Sequence, residues 1–175
     1  MFLRTYRGID FDFDNLNPEQ VDIEDIAHSL SMQTRYGGHL PMHYSIAQHS
    51  VLCSQYPNAG LELLLHDATE AYVTDVPTPV KIRCPHFSKL EDEIWENAIA
   101  PKFKLPPKLS SFTKQVDRII LLRELHDLVG HSWESLAISY ADDVEYARVH
   151  VPRIEPLSFD EAKQQFLNRF KELVK

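Results

Sequence analysis

An apolar run that leads directly into charged residues constrains this chain more than any other feature. Three leucines at 63–65 are followed at once by His66 and Asp67, and Glu70 comes one helical turn later. At about 100° per residue, His66, Asp67 and Glu70 fall on one face of a helix. Charged side chains rarely follow a core segment unless something neutralises them. The pattern predicts a buried helix that offers His66 and Asp67 to a metal ion and Glu70 as a catalytic acid or base.

Length and charge limit the number of domains and the class of partner. The 175 residues, 43% of them apolar, suffice for one core, so we predict a single domain over residues 1–175. A formal charge of −8 excludes the basic footprint that binds duplex nucleic acid. No apolar run approaches the ~20 residues of a membrane span. Cys53 and Cys84 have no CxxC spacing and are expected to be reduced thiols of a cytoplasmic protein.

Helical patterns account for most of the chain. Alternation of apolar residues with aspartates at 9–14 predicts a short N-terminal hairpin, and the Val-Pro-Thr-Pro run at 76–79 predicts a rigid extended loop. Ser158 and Glu161 form a capping box at the start of the last helix. The predicted helices cover residues 23–32, 45–56, 60–74, 88–98, 112–129, 133–149 and 158–174, with a connector at 101–111. We predict an all-α fold, a bundle of about six to seven helices with a small N-terminal β-hairpin.

Four ligand-type side chains on three of these helices form the candidate metal site: His49, His66, Asp67 and Asp117. His49 shares its helix face with apolar residues and Cys53, and Asp117 lies among apolar neighbours, where an unpaired carboxylate is costly. Two imidazoles and two carboxylates suit one divalent transition metal with open positions for water and substrate. Singly, such residues more often cap a helix, form an ion pair or face solvent, so the prediction depends on the set.

A second His-Asp pair, His126–Asp127, follows Asp117 on the same predicted helix. Nine residues rotate the helix by about 900°, which places His126 opposite Asp117. We interpret this pair as part of a solvated face and expect no ligand role for it.

The order of these residues resembles that of the HD-domain metal-dependent phosphohydrolases. The chain is similar to the 5′-deoxynucleotidase branch of that family, which includes phage dATP triphosphohydrolases. The matching segments lie within about residues 20–125 and are Arg35-Tyr36, Tyr44–Ser50, His66–Glu70, Asp75–Lys81 and Asp117.

This resemblance implies a role for each matching residue. It implies that His49, His66, Asp67 and Asp117 bind one divalent transition metal ion, with Zn, Co or Mn expected. It implies that Glu70 assists proton transfer and that Asp75 lies beside the sugar and the attacked phosphate. The substrate-binding residues that it implies are Arg35, Tyr36, Pro79 and Lys81.

The function that the resemblance implies is hydrolysis of a small deoxynucleotide. Two forms stay open: a deoxynucleoside triphosphate triphosphohydrolase, with dATP as the first candidate, and a 5′-deoxynucleotidase acting on monophosphates. The deoxynucleotidases often carry Trp where this chain has Tyr36, a position that bears on selection against a ribose 2′-hydroxyl. Two alternatives are an HD-type hydrolase of signalling nucleotides and a non-catalytic nucleotide sensor. We also expect a homo-oligomer, dimer or larger, partly from this resemblance and partly because the helices around Trp95 and Trp133 carry more apolar and aromatic residues than one core needs. The expected location is the cytoplasm, or the host cytoplasm for a phage protein.

Overall fold

One aromatic side chain anchors the N-terminal hairpin to the helices. The computed structural model describes residues 1–175 and pairs β1 (Phe2–Arg4) with β2 (Asp10–Asp12) antiparallel, with Leu3 opposite Phe11. Phe11 is fully buried and stacks on Tyr72, with 4.0 Å between the ring centroids. The alternating pattern therefore predicted the hairpin correctly, because every second side chain turns toward the core.

Ten helical segments make up most of the remaining chain, and the all-α prediction is confirmed. The long helices are α1 (Ile23–Met32), α2 (Ile46–Ser54), α6 (Pro85–Ile94), α8 (Ser111–Glu124), α9 (Trp133–His150) and α10 (Phe159–Leu173). The short helices are α3 (Leu61–Leu65), α4 (Glu70–Val73), α5 (Thr78–Lys81) and α7 (Ala100–Phe103). Two wide π-type turns, Trp95–Ile99 and Leu125–Val129, join α6 to α7 and extend α8, and 3-10 turns cover Pro18–Gln20 and Arg35–Gly38. None of these helices has the length and apolar character needed to cross a bilayer.

Side-chain caps set the beginnings of the long helices. The predicted capping box is present: the Ser158 hydroxyl accepts from the Glu161 N–H, and the Glu161 carboxylate accepts from the Ser158 N–H. Other side-chain caps are Asp22 for α1, Ser45 for α2, Ser110 for α8 and Ser132 for α9. Each cap gives a partner to an N–H group that has none within the helix.

Helix α2 lies between two apolar clusters. α10 packs across α1 and α2, and α8 packs along α9. Ala47 and Val51 belong to the larger cluster with the hairpin, α1 and α10, whereas Cys53 belongs to the smaller one with α8 and α9. His49 is fully buried on the same helix. The candidate metal ligand therefore sits where the two halves of the core meet.

The predicted helix over residues 60–74 is divided in the structure. α3 ends at Leu65 and α4 begins at Glu70, and between them the N–H groups of Ala68 and Glu70 donate three residues back instead of four. The backbone at His66 stays helical (φ −59°, ψ −32°), so the chain tightens rather than unfolds. His66, Asp67 and Glu70 still lie on one side of the chain, at the candidate site described below.

Two predictions about proline-containing segments were wrong. The run at 76–79 is not wholly extended, because α5 begins inside it with Pro77 as its cap and Pro79 in its first turn. Pro101 was assigned to a connector, yet it lies in the first turn of α7. In both cases proline occupies a helix position whose N–H would have no partner, which is where its missing hydrogen costs least.

Trp95 does not support the expected oligomer. Its side chain is buried in the larger cluster of this chain, and its indole N–H donates to the Pro106 carbonyl at 3.0 Å. A tryptophan already covered within one chain gives no reason for a partner, so the oligomer remains a prediction from the resemblance and from the apolar residues around Trp133.

Candidate metal centre

The four predicted ligands converge on one small volume. The Nε2 atoms of His49 and His66 are 3.3 Å apart. Asp117 Oδ1 lies 3.1 Å from the first of these and 3.8 Å from the second. Asp67 Oδ2 lies 3.7 Å and 3.3 Å from the same two atoms. Ligands about 2.1 Å from a single ion would be ~3.0–3.4 Å apart, so the spacing is close to that of a metal site.

Hydrogen bonds on the far side of each imidazole orient the two rings. Nδ1 of His49 lies 2.5 Å from a carboxylate oxygen of Glu124, and Nδ1 of His66 lies 2.8 Å from the Leu63 carbonyl. Both partners only accept, so each Nδ1 carries a proton and donates it. In the neutral rings the lone pairs of both Nε2 atoms therefore point at each other and at the two carboxylates. This is how ligating histidines are commonly held by their outer partners.

The tightened turn after α3 makes the second of these hydrogen bonds available. In a continuous α-helix the Leu63 carbonyl would accept from the N–H of Asp67. Here that carbonyl accepts from the His66 ring instead. The break in the predicted helix therefore helps to orient the His66 ring toward the other candidate ligands.

The convergence of acceptors demands a positive charge. Burial would lower the pKa of His66, yet the nearby carboxylates of Asp67 and Asp117 outweigh it and raise that pKa to about 10. Burial would raise the pKa of Asp117, yet hydrogen bonds from His49 and His66 in their protonated forms, together with the charges of these rings, hold that pKa well below its usual range. A proton or a metal cation is needed among these groups, and their donor atoms could hold a metal ion.

A thiol adjoins the same group. Cys53 Sγ is 3.5 Å from His49 Nε2, and the ligand atoms of His49, Cys53, His66 and Asp117 all lie within 4.8 Å of one another. This group can hold a metal ion. Asp117 is less buried than predicted, since its side chain is 42% exposed and faces a cavity. The exposed Asp117 carboxylate places the edge of this group at an open cavity.

Sequence reasoning missed Glu124, which is the central anion of the site. It is fully buried in α8, and its carboxylate accepts from Tyr44 (2.8 Å), Tyr36 (3.0 Å), Arg35 (3.1 Å) and His49. Burial would raise its pKa, but the charges of Arg35 and His49 and the hydrogen bonds from His49 and Tyr44 lower it to about 2. A signal was present, because Glu124 follows Asp117 by two helical turns and so shares its face.

Arg35 and Tyr36 lie on a left-handed turn beside this carboxylate. Tyr36 (φ 60°, ψ 27°) and Gly37 (φ 59°, ψ 26°) both adopt the left-handed conformation, which costs a non-glycine residue about 1–3 kcal/mol. The turn is held by the Tyr36 hydroxyl on Glu124 and by the Arg35 N–H on the Tyr44 carbonyl. Arg35 Nη1 lies 3.6 Å from Asp67 Oδ2, so its guanidinium reaches from Glu124 to the four predicted ligands. These ligands, His49, His66, Asp67 and Asp117, are called the metal group below.

Glu70 is buried next to the metal group with one oxygen free. Lys81 Nζ lies 3.4 Å from its Oε1 and 2.7 Å from Glu91 Oε1, whereas Oε2 is buried with no hydrogen-bond partner. Burial, reinforced by the charges of Asp67 and Asp75, raises the pKa of Glu70 well above its usual range. A carboxyl group in such a setting can hold a proton near neutral pH and give it up to a nearby acceptor.

A single glutamine fixes the segment that leads to Asp75. Gln33 Oε1 accepts from the Thr74 hydroxyl and the Asp75 N–H, and its amide donates to the Glu70 carbonyl. Thr74 has φ 69° and ψ 157°, a strained conformation for a β-branched residue. The hydrogen bonds of Gln33 hold this strain and set the position of Asp75.

Two cavities meet at the metal group, and the predicted substrate residues line them. The first, about 370 Å³, is lined by Arg35, Tyr36, Asp75, the segment 76–79 and Asp117. The second, about 500 Å³, includes Glu91, Trp95, Lys108 and Lys114. Asp67, Glu70 and Lys81 belong to both. The structure thus brings all ten predicted site residues to one place.

The second His-Asp pair lies outside this place, as predicted, but it is not a solvated face. The Asp127 carboxylate accepts from Arg123 at 2.7 Å and from the Ile154 N–H at 2.8 Å, and it is almost fully buried. His126 stacks on Trp133. The pair ties the end of α8 to the segment that follows α9.

Comparison with known proteins finds two relatives, and the name of neither relative states an activity. No family model matches the chain. Uncharacterized protein YfdR of Escherichia coli K12 is 38% identical over 177 residues, which cover 98% of this chain and 95% of the relative. An uncharacterized protein of Rhodobacter capsulatus is 31% identical over 145 residues, which cover 74% of each chain.

Proposed function

This chain belongs to the same family as YfdR, and we propose that it is a metal-dependent phosphohydrolase that acts on deoxynucleotides. The observation that carries the proposal is the convergence of His49, His66, Asp67 and Asp117 beside a buried carboxyl group and two cationic side chains. These four residues would hold a divalent ion, which would supply a water activated for attack and a positive charge for a phosphoryl oxygen. Both contributions suit hydrolysis of a phosphate ester.

The cations of the site suit a phosphate group. Arg35 and Lys81 line the same cavity beside the candidate metal ligands, and each is already paired with carboxylates that fix its position. Their charges would offset the negative charge of a phosphate. They would also stabilise the additional negative charge that develops on the phosphate oxygens in the transition state. An overall charge of −8 makes such local cations necessary for any anionic substrate.

Glu70 is the residue that we assign to proton transfer. Its Oε2 has no protein partner, so it is free to take a proton from the attacking water and deliver it to the leaving oxygen. A sensor that only binds nucleotide would gain nothing from a buried carboxyl oxygen kept without a hydrogen-bond partner, which would cost about 1–3 kcal/mol.

The two cavities suggest how a nucleotide would lie. We assign the nucleoside to the cavity with Arg35, Tyr36 and the 76–79 segment, where Asp75 would face the sugar. We assign the β- and γ-phosphates of a triphosphate to the other cavity, which Lys108 and Lys114 line together with the carboxylates of Asp92 and Glu96. Neither lysine forms an ion pair with these carboxylates, so both remain available to a phosphate. This arrangement favours a triphosphohydrolase over a monophosphatase.

The test of the proposed function is a substrate panel with metal-loaded protein. Release of phosphate, pyrophosphate and triphosphate is measured from mono- and triphosphates of all four bases, in ribo and deoxy forms, with Zn, Co and Mn. We expect triphosphate release from deoxynucleoside triphosphates and a kcat/KM for deoxy substrates well above that for ribo substrates, because the proline-containing segment 76–79 beside Asp75 would leave little room for a 2′-hydroxyl. His66→Ala is the control and should lose both metal and activity.

Two outcomes would contradict the proposal. One is no release from any nucleotide by protein that holds its metal, and the other is equal metal content in His66→Ala and the unaltered protein. A ribo-to-deoxy ratio near one would leave hydrolysis standing and contradict the deoxyribose preference, pointing to Tyr36 as the position that opened the sugar site.

The lysines of the larger cavity give a prediction of their own. Lys108→Gln with Lys114→Gln should lower kcat/KM for a deoxynucleoside triphosphate about tenfold, since each exposed ion pair contributes up to about 1 kcal/mol and about 1.4 kcal/mol corresponds to a factor of ten. The same variant should treat the monophosphate as before. Lys102→Gln, an exposed lysine of α7 outside both cavities, is the matched control. Equal losses with both substrates would place the phosphate chain elsewhere.

A further inference from the structure

We propose that Cys53 is a ligand of the same metal ion, through its thiolate, in addition to the histidines and aspartates. The inference rests on the proposed metal site and specifies its chemistry further. Cys53 follows His49 by one helical turn on α2, so both side chains project from the same face. Ligand pairs at this spacing on one helix are common in zinc sites.

The contact between the Cys53 thiol and the His49 ring would differ between the metal-free and the metal-bound protein. Cys53 Sγ lies 3.5 Å from His49 Nε2, and that nitrogen carries a lone pair because Nδ1 donates to Glu124. Without metal the thiol can donate its hydrogen to Nε2. With metal the lone pair is engaged, so the thiol must either lose this partner or coordinate.

Coordination would resolve this conflict. The Cys53 thiol would release its proton to solvent, and the metal would take the place of that proton beside His49 Nε2. Sγ also lies within 4.8 Å of the ligand atoms of His66 and Asp117, so a small shift of side chains brings all of them around one ion.

A thiolate would bias the choice of metal. Sulfur ligands favour zinc, cobalt and cadmium over manganese and magnesium, which prefer oxygen. The alternative is that Cys53 only fills space, since it is fully buried and belongs to the apolar cluster with Val116 and Ile119. The two alternatives predict different absorption spectra for a bound metal ion and different metal preferences.

Cobalt provides the probe. Protein loaded with one equivalent of Co²⁺ should show a thiolate-to-cobalt charge-transfer band in the near ultraviolet. Cys53→Ser should lose this band, and Cys84→Ser, which removes the exposed cysteine, should keep it. Competition titrations should show the preference for Cd²⁺ over Mn²⁺ falling about tenfold or more in Cys53→Ser, a loss comparable to that from altering partners of metal ligands.

The outcomes separate this inference from the proposed function. Unaltered protein that binds Co²⁺ without the band overturns the role of Cys53 and leaves hydrolysis to the substrate panel, and this spectrum needs no variant to fold. An unchanged Cd²⁺/Mn²⁺ preference in folded Cys53→Ser overturns it as well. Failure of the unaltered protein to bind Co²⁺, Zn²⁺ or Mn²⁺ contradicts the metal site as a whole.

Discussion

Glu70→Gln should lower kcat about 10²–10⁴-fold while the protein keeps its metal and its fold. Groups that transfer protons in the transition state typically contribute this much. Glutamine preserves the shape of the side chain and the contact with Lys81, but its amide cannot take up or release a proton at Oε2. Steady-state kinetics on the best substrate, with metal content measured on the same sample, checks the expectation.

Glu91→Gln is the matched control for this experiment. Glu91 contacts the same lysine at 2.7 Å and lines the same larger cavity, but it does not adjoin the metal group. We expect kcat to change by less than about fivefold, the loss of one partly screened ion pair. Glu70→Gln with kcat close to that of the unaltered protein, or with its metal lost, would mean that Glu70 has a structural role instead.

Glu124→Ala should lower the free energy of unfolding by about 3–5 kcal/mol and the affinity for metal about 10–100-fold. The first effect follows because Arg35 would stay buried without its counter-charge, and two tyrosine hydroxyls would lose their acceptor. The second follows because His49 would lose the group that orients its ring. Urea unfolding and a Zn²⁺ or Co²⁺ titration measure the two effects separately.

The lowered pKa of the Glu124 carboxylate predicts how the free energy of unfolding depends on pH in acid. Its pKa is about 2 in the folded chain against about 4.5 when unfolded, so its contribution of about 3 kcal/mol is complete above the unfolded value. As pH falls from about 5 to about 2, the contribution is lost. Glu124→Gln should therefore be less stable at pH 7 and show a shallower loss between these limits.

An exposed glutamate serves as the control for the acid limb. Glu145 lies on the surface of α9 and pairs only with Arg148, so Glu145→Gln should leave the curve unchanged. If Glu124→Gln and Glu145→Gln gave the same acid limb, the buried network would contribute nothing to the pH dependence.

Local signals made the helices predictable. Helix α1 begins and ends at the predicted residues because Asp22 caps its first turn and the apolar residues recur with helical spacing. The last helix follows from its capping box in the same way. The tightened turn after Leu65 was not predictable, because it depends on a carbonyl that accepts from the His66 ring instead of the backbone.

The candidate metal ligands could be predicted from the sequence, whereas the buried residues that hydrogen-bond to them and hold them in place could not. His49, His66, Asp67 and Asp117 are costly among apolar neighbours, so their positions on helix faces drew attention without any structure. Glu124 gave the same local signal, but its importance comes from donors on distant segments, Tyr36 and Tyr44 among them. Such partners become visible only once the chain has brought them together.

The candidate ligands belong to α2, the end of α3 and α8, which are far apart along the chain. An ion held by all of them would join three helices as a cross-link does, and it would be released on unfolding. At a free ion concentration 100 times the Kd, this adds about 2.7 kcal/mol to stability. Proteases remove chains in proportion to how often they open. The amount of this protein in a cell would then follow the supply of its metal even at a constant rate of synthesis.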